Sequence, residues 1–586
     1  MVSKIELLRN ELAKRKLDAF IVPSQDEYLS EYVPDCFRRL EWLTGFSGSA
    51  GLAIVTQKKA AFFTDGRYTV QAKHQLSDEF EIYNSGNLSP AEWLEKNVNK
   101  KSVIAYDPKI HSESSFKNYK VLAKKVGFKI SPVKNLVDVV WKNKPSMPKD
   151  KIFIQDIKYA GQSSEDKRKH VIHGMKKKSS NAAIITSPDS ICWLLNIRGK
   201  DVARTPLVLS YLIIKENGEI ALFVNPEKAD KNVRKHLGKN VEILPVSDLE
   251  KNISQLKNKR VLIDPSSAST WFFDLLRKAK AKIIDGTDPC VLPKACKNKT
   301  EIAGTRNAHI RDGAALVKFF VWLEKEISSG KVTEISAAKK LEIFRAQGDL
   351  FKDLSFDTIA GYKANGAIVH YRADEKSNLK LQKEGMFLLD SGAQYLDGTT
   401  DVTRTISLGK PTKEQKQNFT RVLKGHIAIA RAVFPEVTRG CDLDILARKE
   451  LWRAGLDYDH GTGHGVGSYL SVHEGPQGIS KRNTAELKPG MIISNEPGYY
   501  KEGEYGIRIE NLVLVVNKQD LSSEKTYLGF ESLTMVPIDL NLIEKSMLDK
   551  QEINWLNNYH AEVLKKLTPL LEKNQIKWLK TKTRRI

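Results

Sequence analysis

The sequence predicts a multidomain protein, α/β in its first half and mixed α+β in its second. Three observations carry that expectation. Helix patterns alternate with short apolar strands over residues 1–140. The same outline returns after a Pro/Lys linker, WKNKPSMPKDK at 141–151. Near residue 297 the pattern changes to one long amphipathic helix, followed by a segment that mixes helices with strands. A chain of 586 residues exceeds what one core serves, and three or four domains are expected.

The first segment opens with a helical pattern and then the buried-strand run AFIVPS. WLTGFSGSAGLAIVT and AAFFTDGRY follow as further strands. In the second segment SSNAAIITSPD echoes KLDAFIVPSQD, and CWLLNIRGKDVARTPLVLSYLIIKENGEIALFVN echoes EWLTGFSGSAGLAIVTQKKAAFFTD. A tandem duplication producing two similar α/β domains is the expectation. KTEIAGTRNAHIRDGAALVKFFVWLEKEI reads as the long helix opening the third segment. The tail has helical spacing in LLEKNQIKWL and is expected to be a packing appendage. The expected boundaries are 1–140, 151–300, 301–535 and 536–586.

Composition narrows the class. With 41% hydrophobic and 28% charged residues the chain can bury several cores. No stretch reaches 18 apolar residues, and the best candidate, ALVKFFVWL, is broken by Lys318, so no membrane span is expected. The N-terminal stretch carries charges throughout, unlike a signal peptide. Five scattered cysteines without a CxxC argue against a disulfide framework or zinc ribbon and for a cytoplasmic location. The net charge of +23 is dispersed, with no aromatic nucleic-acid motif. A lysine-rich solvated surface is expected, with no specific nucleic-acid partner.

The chemistry concentrates in the third segment. DSGAQYLDGTTDVTRT, residues 390–405, reads as two strands joined at Asp397-Gly398, carrying Asp390 and Asp401. HGTGHGVG supplies His460 and His464, and its glycines at 461, 463, 465 and 467 argue against a helix. The two histidines are therefore read as lying on a strand or loop with different tasks. SVHEGP supplies His473, IISNEPGYY supplies Glu496, and GIRIENLVLVV supplies Arg508 and Glu510. A lone strand aspartate is ordinarily a turn or salt-bridge residue, but the set together is not ordinary. Four carboxylates and an imidazole in one dry site carry about −4 and need cations. Two divalent metals would cancel that charge, and an oxygen-rich donor set suits Mn²⁺ first, with Zn²⁺ or Co²⁺ as alternatives.

These motifs resemble the metal-binding motifs of the pita-bread metallopeptidases, which include methionine aminopeptidase, prolidase, creatinase and aminopeptidase P. ANGAIVHY, NLVDVVW, NIRGKDV, FESLTMVPIDL and WLNNYHAEV extend the resemblance, over nearly the whole chain, to the large three-domain aminopeptidase P type. The resemblance implies two creatinase-like N-terminal domains, a pita-bread catalytic domain and a helical C-terminal extension. It implies a dinuclear site with Asp390 on one metal, Asp401 and Glu510 bridging, and His464 and Glu496 completing the other metal's shell. His370, His460 and His473 match substrate-binding and proton-transfer histidines, and Arg508 matches a residue of the active-site hydrogen-bond network. The implied reaction is hydrolysis of the bond between an N-terminal residue and a penultimate proline by a hydroxide held between the metals. A homodimer is likewise implied.

Overall fold

The computed structural model describes residues 3–518 and 525–586. They form two compact units, Met1–Asp156 with Gln162–Val291, and Ile157–Gly161 with Leu292–Ile586.

The first unit contains two six-stranded sheets of the same design. In one, the spatial order is Glu81–Asn84, Ala60–Thr64, Leu52–Thr56, Ala19–Pro23, Val103–Tyr106, Lys129–Pro132. In the other it is Val241–Leu244, Ile220–Phe223, Tyr211–Lys215, Ala182–Ile185, Arg260–Ile263, Lys282–Asp285. Each first strand lies near the centre, antiparallel to one neighbour and parallel to the other. Such a strand is covered on both faces, which is why AFIVP and AAII are apolar without alternation and buried throughout. The echo between the two segments is therefore a repeat of topology.

In the second unit the long helix Lys299–Glu326 starts at an Asn298/Glu301 capping box. Three antiparallel strands follow in the order Ile359–Tyr362, Met386–Ser391, Val402–Ser407. Helix Glu334–Ala346 and the long helix pack on them through Phe319, Phe320, Leu341, Phe387 and Leu389. Beyond helices Lys413–Ala430 and Gly440–Trp452 comes a second sheet. Its order is Val433–Pro435, Tyr527–Ser532, Asn511–Lys518, Ile492–Asn495, Gly463–Gly465, Glu474–Ile479. The mixed α/β and α+β class is as the sequence predicts.

The Asp397-Gly398 turn closes the expected hairpin, with Gln394 opposite Thr399 and Tyr395 opposite Gly398, and its tip strands Ala393–Tyr395 and Gly398–Thr399 take Phe351–Leu354 as their third strand in a separate sheet. Within the main sheet Asp390 faces Thr403, so the two aspartates are not cross-strand neighbours. The tail, however, is more than the expected appendage. Its helix Lys550–Leu567 buries Leu556, Tyr559 and His560 against the second unit's core, and LLEKNQIKWL is interrupted before the helix Lys573–Lys582. Among the described residues no helix is long and apolar enough to cross a membrane.

Candidate metal centre

The five side chains singled out as ligands sit at strand ends. Asp390 lies in Met386–Ser391, and Asp401 immediately precedes Val402–Ser407. His464 lies in Gly463–Gly465, Glu496 follows Ile492–Asn495, and Glu510 sits in the break before Asn511–Lys518. Asp401, His464 and Glu510 each offer a donor atom within 4.8 Å of the others. His464 Nε2 is 3.4 Å from Glu496 Oε1 and 3.6 Å from Asp401 Oδ2. Asp390 joins through Arg508, whose Nη2 donates to Asp390 Oδ2 at 2.6 Å and whose Nε donates to Thr403 Oγ1 at 3.1 Å. Thr403 Oγ1 in turn donates to Glu510 Oε2 at 2.8 Å.

Local sequence explains the close approach. A Cβ on Gly463 would collide with the Ser494 carbonyl oxygen, and one on Gly465 with that of Glu474. Only glycine lets these three strands converge on His464. Its Nδ1 lies 3.0 Å from the Gly465 carbonyl oxygen, and donation there leaves Nε2 facing the carboxylates with its lone pair.

The electrostatics are those of a site built for cations. Burial, then repulsion from Glu510, Asp390 and Glu496, holds Asp401 well above the usual carboxylate range. Burial, then Glu496 and Asp390, does the same to Glu510. Burial pushes Glu496 up to about 7, with the Arg508 guanidinium acting in the opposite direction. Asp390 Oδ1 and Asp401 Oδ1 are buried with no hydrogen-bond partner. Buried carboxylate oxygens seldom lack partners, and a divalent cation satisfies them as no donor here does. The donor set of carboxylate oxygens and one imidazole nitrogen fits hard or borderline divalent cations.

The remaining predicted residues lie around this set. His460 Nε2 is 2.9 Å from the Tyr500 hydroxyl, which also accepts from Arg508 Nη1 at 2.6 Å. The His473 ring centroid is 4.3 Å from that of His464. His370 stands in a turn whose preceding carbonyl, Val369 O, accepts from Arg508 Nη2 at 3.3 Å. All three imidazoles are half-buried. Arg508 is 1% exposed and contacts Asp390, Thr403, Tyr500 and Val369.

Two contributors escaped the sequence reading. Tyr500 is one: its hydroxyl links His460 to Arg508, and burial pushes that hydroxyl up to about 12. Arg404 is buried and donates to Glu510 O at 2.6 Å, Asn511 Oδ1 at 2.8 Å, Val536 O at 2.7 Å and the Tyr559 hydroxyl at 2.9 Å. It ties the strand following Asp401 to the segment following Glu510 and to the C-terminal helix. The arginine in TTDVTRT was visible, but its partners lie over 100 residues away.

Family models agree with this architecture along the chain. One described as metallopeptidase family M24 matches residues 303–517, and two described as creatinase/prolidase N-terminal domains match 4–140 and 143–301. A model of the C-terminal region of peptidase M24 matches 526–586. A probable Xaa-Pro aminopeptidase P of Laccaria bicolor is 44% identical, covering 98% of this chain and 92% of the relative. Xaa-Pro aminopeptidase 1 of Dictyostelium discoideum is 41% identical, covering 98% and 95%. The crystal structure of a Caenorhabditis elegans X-prolyl aminopeptidase, described as a cytosolic enzyme with a di-nuclear active site, superposes with a TM-score of 0.95 at 38% identity. It covers 100% of this chain and 99% of its own. Carboxylates and an imidazole gathered at strand ends, within a likeness that runs the full length of the chain, place it in one family: the chain belongs to the aminopeptidase P branch of metallopeptidase family M24.

Proposed function

We propose that this chain is a metal-dependent Xaa-Pro aminopeptidase, releasing the N-terminal residue from peptides with proline in second position. The observation that carries the reading is the convergence of Asp390, Asp401, His464, Glu496 and Glu510, with partnerless buried oxygens on both aspartates. Full-length relatives with that activity in their names support it. We assign those five side chains as holding two divalent cations, Mn²⁺ first, with Zn²⁺ and Co²⁺ also fitting the donors. Bound there, the pair would polarise a peptide carbonyl and lower the pKa of water toward about 7.

The chain's own groups do the rest. Arg508 fixes one oxygen of Asp390 and, through Thr403, one oxygen of Glu510, so the carboxylates keep their orientation while binding. Proline nitrogen carries no hydrogen in the peptide, so its departure as an amine requires a delivered proton. His460 meets Tyr500, His473 lies against the His464 ring and His370 follows the carbonyl that Arg508 holds, and a half-buried imidazole can bind substrate and carry that proton near neutral pH. His460 is oriented by the Tyr500 hydroxyl, 2.9 Å from its Nε2. Cytoplasmic residence, a homodimer and the four-part division at 140, 151, 301 and 536 belong to the same proposal; the cytosolic description of the nematode enzyme supports the first and the family-model ranges the last.

Metal content and turnover measured on one purified sample test the reading. About two Mn²⁺, Zn²⁺ or Co²⁺ per chain and release of the first residue from Xaa-Pro-Yaa tripeptides are expected. Cleavage of Xaa-Pro dipeptides alone would assign a prolidase instead, and a chain that is metal-free and inert with added metal would be a non-catalytic module. Asp401→Ala should lose both metal and turnover.

A further inference from the structure

Glu334 is the first residue of the helix Glu334–Ala346, and it is completely buried. Its carboxylate is nowhere among the donors assigned to metal. It collects four donors from one segment of chain. Tyr362 N and Asn365 Nδ2 donate to Oε1 at 2.7 and 3.0 Å, while the Tyr371 hydroxyl and Leu379 N donate to Oε2 at 2.9 and 2.8 Å. Its own amide donates to Leu379 O at 3.0 Å. The two hydrogens of Asn365 Nδ2 are shared among Glu334, the Tyr371 hydroxyl at 2.8 Å and Ser377 O at 3.0 Å, and Ser377 O also lies 3.0 Å from the Tyr371 hydroxyl. One buried side chain thus fastens residues 362, 365, 371 and 379, and His370 sits inside that span.

A buried carboxylate is costly to keep, and a loop that needed only closing could close on neutral groups. The expense has a use if one position in the loop must be exact. His370 is bracketed: the carbonyl of Val369 before it is held by Arg508, and the side chain of Tyr371 after it is held by Glu334. Arg508 also grips Asp390, so one side of the bracket is referenced to the metal donors. The other side is referenced to the helix packed behind the sheet.

We propose that Glu334, acting through Tyr371 and Asn365, is a positioning residue that sets where the His370 imidazole stands relative to the carboxylates. The inference rests on the reading above that His370 contacts substrate.

A double-mutant cycle tests it. Metal-loaded wild type, His370→Ala, Tyr371→Phe and the double variant are assayed on Ala-Pro-Ala, with enough enzyme to resolve the slowest rate. Tyr371→Phe is expected to lower kcat/KM about tenfold, the effect of one hydrogen bond to a charged group. Metal content should not change. In the His370→Ala background the same substitution should cost nothing further. Full additivity of the two losses would overturn the inference, because a merely structural role lowers activity whether or not His370 is present. An undiminished kcat/KM in His370→Ala would instead overturn the reading beneath it. Glu334→Gln should behave as Tyr371→Phe does; if it fails to fold, the Tyr371 cycle decides alone.

Discussion

Tyr500 shows how one hydroxyl can tie two functional groups together. Its oxygen accepts from Arg508 and meets His460 Nε2, so it sets the ring angle of His460 against a guanidinium that also holds Asp390. Tyr500→Phe keeps the ring and removes the link, and kcat/KM should fall about tenfold to a hundredfold with metal content retained. The carboxylates make a second prediction at this scale. Glu496, raised to about 7, and Asp401 and Glu510, held well above the usual carboxylate range by burial and by their neighbours, bind protons more tightly in the metal-free fold than in the unfolded chain. The metal-free fold therefore loses stability as pH rises from the ordinary carboxylate range toward 7 and above. Divalent cations take the protons' place, so the Tm difference between metal-loaded and metal-free protein should widen from pH 5 to pH 8 in calorimetry. Asp390, Asp401, His464, Glu496 and Glu510 were all legible, because each interrupts an apolar or Gly-rich run where a charge is hard to excuse. Tyr500 was not, since a tyrosine in a strand reads equally well as core and its partner His460 lies 40 positions away.

Among elements, the long helix announced itself by its period and the buried strands by their apolar runs. The sheet switch after Ser391 did not, because a strand pattern carries no label for the sheet it joins. The tail was read as helical from the spacing of LLEKNQIKWL, and the task of its helix Lys550–Leu567 appeared only with the partner of Tyr559. That hydroxyl receives Arg404 and lies 2.8 Å from Val536 O, within the hub that braces the Glu510 carbonyl. Tyr559→Phe leaves a buried guanidinium short of an acceptor. A loss of about 1–3 kcal/mol is expected in denaturant unfolding, together with weaker metal retention in a chelator competition. Truncating the exposed Lys565 on the same helix to alanine would do neither.

For the whole molecule, titration sets a limit on the acid side. His426 and His560 are buried in the second unit, and burial lowers both to about 3. The unfolded chain protonates them near 6.5, so their contribution is complete above that pH and is lost as pH falls through 6.5 toward 3. Each contributes a slope of about 1.4 kcal/mol per pH unit in that window. His560 Nε2 accepts from Ile538 N at 3.0 Å, a role a glutamine oxygen can take. His560→Gln should accordingly flatten the fall of Tm between pH 6.5 and 4.

The cation donors straddle a connector. Asp390 and Asp401 come before residues 408–412 and His464, Glu496 and Glu510 after them, while Lys410 and Thr412 on that connector face solvent. A single proteolytic nick there would leave two fragments, each holding only part of a chelate. The ions would then serve as a removable rivet beside the Arg404 ties and the shared apolar core: the severed protein stays assembled and active while loaded, and unfolds more readily once they are stripped.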